Sequence, residues 1–278
     1  MQTGEPAKIV EVSQRMRGGS QSFLVRASDG WAYVAKFSGN PQGNRTLINE
    51  CVASYLLSAL NIATPDLKIL NLTDSCMGRD ELYFSTNRRE PIVNGLHLGS
   101  KCPVDPDAVA IFDFLPRNMY SRVENIRDAG TVFAFDCWVA HTDTRQFVFA
   151  RNKSHERESA SKCGGKISLT AWAIDNGMCF GGDWNLTELV LPASHRAVEI
   201  YSHCNLEESA LAGAKLIQDF PATVIQSSHQ QIPRDWFSHG DEEALAAMLR
   251  TLQDRRQTLV ATVEEQVLAV KYRARLAS

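Results

Sequence analysis

Trp31-Ala32-Tyr33-Val34-Ala35-Lys36 reads as a short strand that ends on a lysine, and Glu50 follows 14 residues later. Glu50 lies within residues 45–60, where Leu47, Ile48, Cys51, Val52, Tyr55, Leu56 and Leu60 recur at the spacing of a helix with one apolar face; Pro65 lies beyond its end. Glu50 is off that stripe and free to reach toward a sheet. An ammonium on a strand, oriented by a carboxylate on the next helix, is a device for holding the phosphates of ATP. The spacing therefore predicts a Lys36–Glu50 ion pair, partly exposed, that lines a cleft between two lobes.

Outward from this stretch, Lys8-Ile9-Val10-Glu11-Val12 and Ser22-Phe23-Leu24-Val25-Arg26 read as two earlier strands. Ser28-Asp29-Gly30 provides a hairpin turn into the strand that carries Lys36. Two further strands, around residues 67–70 and 81–85, are expected to complete a β-rich lobe. Pro91-Ile92-Val93-Asn94-Gly95 has the character of a connector, which sets a boundary near residue 95. The expected organisation is thus 1–95, carrying the phosphate clamp, and 96–278, both within one domain. In the second part, residues 131–140 are apolar nearly all round, as in a buried helix, and deliver His141-Thr142-Asp143-Thr144-Arg145-Gln146 to its end. Two strand-like runs follow, 147–150 and 167–174, split by a charged segment expected to be an exposed loop. Asp175 ends the second run. The last third is helical in pattern, with one long apolar stripe over residues 241–275.

With 44% hydrophobic residues in 278, the chain has the means to build a large core. The charge is nearly balanced, 29 basic against 32 acidic residues, so nothing marks a nucleic acid as partner. The apolar runs are too short to span a bilayer and the N-terminus lacks a leader pattern, so a cytoplasmic protein is expected. Seven cysteines with no CxxC spacing read as buried reduced thiols. His195, His203 and Cys204 have no zinc-site spacing.

Phosphoryl transfer requires a clamp for the polyphosphate, a carboxylate for a divalent metal, and a second carboxylate to orient or deprotonate the acceptor hydroxyl. Gly18, Gly19 and Ser20, between the first two strands, form a candidate phosphate-covering turn, and equally a plain hairpin turn. Asp143 is placed for a catalytic loop and Asp175, 32 residues later, for a metal site. Taken singly, Asp143 also reads as a helix-end carboxylate and Asp175 as a turn residue. Together with Lys36 and Glu50 they form a set.

The residues that compose this set resemble the HipA-like kinase family, in particular compact bacterial members without the extra N-terminal subdomain of the persistence toxin. The resemblance runs through Gly18-Gly19-Ser20-Gln21-Ser22, Tyr33-Val34-Ala35-Lys36-Phe37, Asn49-Glu50 and His97-Leu98-Gly99-Ser100. It continues through Asp113-Phe114-Leu115-Pro116, Phe135-Asp136-Cys137-Trp138, Asp143-Thr144-Arg145-Gln146 and Ile174-Asp175-Asn176-Gly177. It implies an α+β, two-lobed protein-kinase-like fold with a β-rich N-lobe and a mainly helical C-lobe. It also implies ATP and magnesium as cofactors, with the γ-phosphoryl group passing to a hydroxyl of a protein or small-molecule acceptor. By position, Lys36 contacts the phosphates, Glu50 pairs with it, Asp143 is the catalytic base and Asp175 the magnesium ligand. Such kinases place an asparagine five residues after the catalytic aspartate as a second metal ligand, and here that position is Val148. Gln146 and Asn152 are the nearby oxygen donors, and Gln146 is taken as the substitute ligand. Val148 leaves open a pseudokinase that acts as a nucleotide-binding regulatory module, beside the readings of protein kinase and small-molecule kinase. Asn176 stands where eukaryotic kinases carry an aromatic residue, so regulation of their activation-segment type is not expected.

Overall fold

The computed structural model describes residues 5–151, 168–186, 191–192, 194–195 and 198–276, the last four of these by backbone alone. The expected loop at 152–166, with Asn152 and Cys163, lies outside the described residues. Three alternating segments, β1 (Ala7–Arg15), β2 (Phe23–Ala27) and β3 (Ala32–Lys36), form the predicted antiparallel run. Their inward residues Ile9, Phe23, Val25, Tyr33 and Ala35 pack with Phe37, Leu70 and Leu72 into a compact core. The sheet closes into a barrel in the order β1-β2-β3-β7-β4. Closure depends on a parallel pairing of β1 with β4 (Leu67–Leu72), and on β7 (Gly95–Lys101) inserting between β3 and β4.

Two expectations change here. The segment around 81–85 yields β5 (Tyr83–Ser85), which pairs only with β6 (Arg89–Pro91) in a separate hairpin and not with the barrel. The boundary near residue 95 coincides with the start of β7, so barrel strands extend through Lys101. A sharp turn to a non-adjacent strand leaves no local periodicity to read.

Helix α1 (Arg45–Ala59) is buried on nearly every face, in place of the expected single stripe. It packs into a second, larger core with α2 (Asp128–Val139), whose all-round apolar surface was the signal for burial. After α2 come β9 (Gln146–Arg151) and β10 (Leu169–Ile174), antiparallel, with the short β8 (Ile111–Phe112) beside β9. The remainder is helical: α3 (Leu206–Gln218), α4 (Ala222–Ser227), α5 (Asp241–Arg255) and α6 (Leu259–Leu276). The stripe over 241–275 is thus two helices, interrupted by a 3-10 turn at Arg256–Thr258. At that break the Arg255 guanidinium donates to the carbonyls of Cys137, Trp138 and Leu186 at 3.1, 3.0 and 2.8 Å, the first two being orphan acceptors at the end of α2. Among the described residues, no helix is long and apolar enough to cross a membrane.

Candidate active site

Lys36 is the last residue of β3, and the strand delivers its side chain inward, where only 8% of it stays exposed. Its Nζ lies 2.6 Å from Glu50 Oε2 and 2.8 Å from Asp175 Oδ1. The pair is more buried than the sequence suggested, with Glu50 2% exposed. Burial alone pulls the Lys36 ammonium toward neutrality. The Glu50 and Asp175 carboxylates outweigh that effect and hold its pKa above the ordinary lysine value. Reciprocally, Lys36 holds the Asp175 carboxyl below the usual carboxylate range.

Asp175 follows β10 with φ of 60°, a left-handed conformation that aspartate tolerates better than most side chains. Gln146, at the start of β9, is paired directly with Ile174, and so its amide reaches Asp175: Nε2 donates to Oδ2 at 3.0 Å. Val148 lies on the same face of β9, two residues farther from Asp175, opposite Trp172. Gln146 is therefore the residue beside the Asp175 carboxylate.

Asp143 lies on the exposed loop between α2 and β9, its Oδ1 accepting the Thr144 N–H at 2.6 Å. Among the described residues it makes no hydrogen bond to the Lys36 cluster. It is joined to it through His141, whose Nδ1 lies 2.8 Å from the Asp143 carbonyl oxygen and whose Nε2 lies 3.3 Å from that of Asp175. Burial, followed by the nearby Arg145 charge, lowers the His141 pKa to about 4, so the ring is neutral at pH 7. Gly18, Gly19 and Ser20 form the turn between β1 and β2, with Gly18 at φ of 126°, a conformation that favours glycine. The turn is fastened to the β5–β6 hairpin by Gln21, which donates to the Ser85 carbonyl at 2.9 Å and accepts the Ser85 N–H at 2.6 Å.

Beneath the loop lies a buried group that the sequence reading did not single out. Arg145, fully enclosed, binds Asp136 of α2 through Nε at 2.9 Å and again through Nη2. Its Nη1 donates to the Ile174 carbonyl at 2.9 Å and to Asn176 Oδ1 at 2.7 Å. His195 Nε2 lies 3.1 Å from Asp136 Oδ2, and its Nδ1 faces the Arg145 N–H at 3.3 Å. Nδ1 also lies 3.2 Å from the Asp143 carbonyl oxygen, so the imidazole links Asp136 to the loop that bears Asp143. Although burial opposes the charge on Asp136, Arg145 and His195 keep its carboxyl well below the usual range. The available signal was Asp136 itself, a carboxylate within an otherwise apolar helix, which demands a buried partner.

The chain has the fold of kinases. It is similar to the Helicobacter pylori proinflammatory kinase CtkA, with a TM-score of 0.55 at 10% identity over 92% of this chain and 96% of that one. It is also similar to hydra Fam20 solved with sugar, with a TM-score of 0.52 at 12% identity over 91% and 86% of the two chains. No curated protein is a detectable sequence relative. The family model of the HipA-like kinases matches residues 9–154, and the chain belongs to that family. It is accordingly a kinase-like phosphotransferase. The matched stretch holds Lys36, Glu50, Asp143 and Gln146, and Asp175 lies beyond it.

Proposed function

We propose that this protein uses magnesium and ATP and transfers the γ-phosphoryl group to a hydroxyl, with a protein serine or threonine as the acceptor class. The carrying observation is Lys36 held between two carboxylates, Glu50 at 2.6 Å and Asp175 at 2.8 Å, with the loop that bears Asp143 joined to this cluster through His141. A fixed ammonium is suited to the polyphosphate, and the backbone of the Gly18, Gly19 and Ser20 turn is suited to cover it.

The donor set fits magnesium. Asp175 offers a carboxylate whose side chain is 38% exposed, and Gln146 brings an amide to the same spot. Among the described residues, no three His, Cys, Asp or Glu side chains gather as a metal site. Hard oxygen donors in small number suit an ion that binds through one or two protein groups plus substrate phosphates, as magnesium does. When bound, the ion neutralises charge on the transferring phosphoryl group. Lys36 would then orient the phosphates, and Glu50 would hold Lys36 in place. Asp143 would accept the proton of the acceptor hydroxyl as the new P–O bond forms, with ADP as the leaving group.

The test is phosphate transfer from labelled ATP with magnesium, scored as autophosphorylation and on mixed peptide acceptors, beside calorimetric nucleotide binding. Transfer that depends on magnesium and is lost in Asp143→Asn supports the proposal. Binding without any turnover selects the pseudokinase reading, to which Val148 gave rise. Absence of nucleotide binding refutes both.

A further inference from the structure

We infer that Asn176 is a positioning residue, the link through which the buried Arg145–Asp136 pair sets the orientation of Glu50 and hence of Lys36. The inference rests on the kinase reading above and concerns a residue that is fully shielded from solvent.

Asn176 is fully buried, and every polar atom of its side chain is used. On one side Oδ1 accepts from Arg145 Nη1 at 2.7 Å. On the other, Nδ2 donates to Glu50 Oε1 at 3.3 Å and to Ser54 Oγ at 3.0 Å, while the backbone N–H donates to Glu50 Oε2 at 2.9 Å. Both Glu50 oxygens are therefore fixed from position 176, and Oε2 is the oxygen that Lys36 binds. An amide suits this place because one face must accept from a guanidinium and the other must donate to a carboxylate. A carboxylate would confront Glu50 with like charge; an apolar group would strand both neighbours.

The bonds form a ring of Asn176, Glu50, Lys36 and Asp175, entered at Asn176 from the Asp136–Arg145 pair. Asp136 on α2 holds Arg145, Arg145 holds Asn176, Asn176 holds Glu50, Glu50 holds Lys36, and Lys36 binds Asp175, the residue next to Asn176. In a buried network of this kind each member restricts the rotamers of the next, so Glu50 keeps one orientation before any nucleotide arrives. Anchorage on both sides also opposes an outward swing of Glu50.

The test is a double-mutant cycle over Asn176→Asp and Glu50→Gln, read by calorimetric affinity for Mg-ATP and by urea unfolding. In the wild-type background N176D is expected to weaken Mg-ATP binding about tenfold or more and to lower the unfolding midpoint, with the KM for acceptor unchanged. In the E50Q background, where an amide meets the new carboxylate, the same change is expected to cost less than about twofold in binding and little in midpoint. Equal costs in both backgrounds overturn the inference. Where E50Q binds too weakly to measure, the unfolding arm decides by the same criterion. Ser54→Ala, a small change on α1, is the variant that preserves folding. It is expected to weaken Mg-ATP binding a few fold at near-wild-type stability, and wild-type affinity in both S54A and N176D refutes the positioning role. A folded wild type that binds no Mg-nucleotide refutes the kinase reading, and the unfolding cycle then still decides whether Asn176 and Glu50 are coupled.

Discussion

Asp136→Asn is the most informative single perturbation of stability. The two side chains have the same shape, so packing is preserved and only charge and one acceptor are lost. In the native protein Asp136 accepts from Arg145 Nε and Nη2 and from His195 Nε2, with all three residues shielded from water. After substitution the Arg145 charge remains buried, held by the neutral Ile174 carbonyl and Asn176 Oδ1. Breaking one partner of a buried ion pair typically costs about 3–5 kcal/mol, a large share of the roughly 5–15 kcal/mol that stabilises a domain. At about 2 °C per kcal/mol for a chain of this size, the expected fall in Tm is about 6–10 °C. Urea denaturation at pH 7 with a constant m-value measures it. A double variant, Asp136→Leu with Arg145→Met, is expected to lose less than D136N, because the stranded charge goes with its partner. A loss below about 1 kcal/mol in D136N, or a double variant no better than the single, refutes the claim that the pair is held by mutual neutralisation in a dry interior.

Four further outcomes are expected. Lys36→Met abolishes tight Mg-ATP binding and also destabilises the fold, since Glu50 is left buried without its cation; calorimetry and thermal unfolding check the two effects, and unchanged affinity rejects the proposed clamp. Asp143→Asn reduces transfer on the order of a hundredfold or more while leaving nucleotide affinity nearly intact, read by single-turnover kinetics. Gln146→Ala weakens the magnesium dependence of binding, whereas Val148→Asn brings no gain, because Val148 lies two residues away from the Asp175 end of β9; a gain in V148N contradicts that assignment. His97 supplies a pH test: burial lowers its pKa from 6.5 to about 4, and its Nδ1 accepts the Ser38 N–H at 3.1 Å. The unfolded chain therefore binds the extra proton first as pH falls, so stability contributed by neutral His97 is present above pH 6.5 and is lost progressively between 6.5 and 4. The loss from His97 amounts to about 3 kcal/mol at most, and His97→Gln should make the fall of the urea midpoint across that window shallower without abolishing it, because buried His141, whose pKa is also lowered to about 4, loses its contribution over the same range.

What the sequence disclosed was mainly local. Lys36 and Glu50 are separated by one loop and one helix turn, so their meeting followed from the strand pattern of 31–36 and the helical spacing of 45–60. Asp175 stood out because an apolar strand ends on it, whereas Gln146 read only as an oxygen donor near Val148, and its place opposite Ile174 came from the strand pairing. Barrel closure was hidden, since the β1–β4 pairing joins Ala7 to Leu70 and no periodicity records a partner that distant. The buried roles of Arg145, His195 and Asn176 were hidden for a different reason. Each is polar, and a polar residue next to a turn is read as solvated until the fold encloses it. Asp136 alone violated its surroundings strongly enough to have been noticed.

The way α1 is buried has a mechanical consequence. The helix that carries Glu50 shares its core with α2 and the C-terminal helices, while the barrel that carries Lys36 has an apolar interior of its own. The junction between the barrel and the rest of the molecule is bridged by Leu67 and Leu98, barrel residues that pack in the larger core with α1, and is crossed by the Lys36 ammonium and by the Trp236 indole on the Leu96 carbonyl. Any relative motion of the two parts would load the Lys36–Glu50 contact, and a nucleotide bridging them would act as a splint. Hydrogen exchange should group the α1 amides with those of α2 and not with those of β1 to β3, and bound nucleotide should slow exchange most along β3.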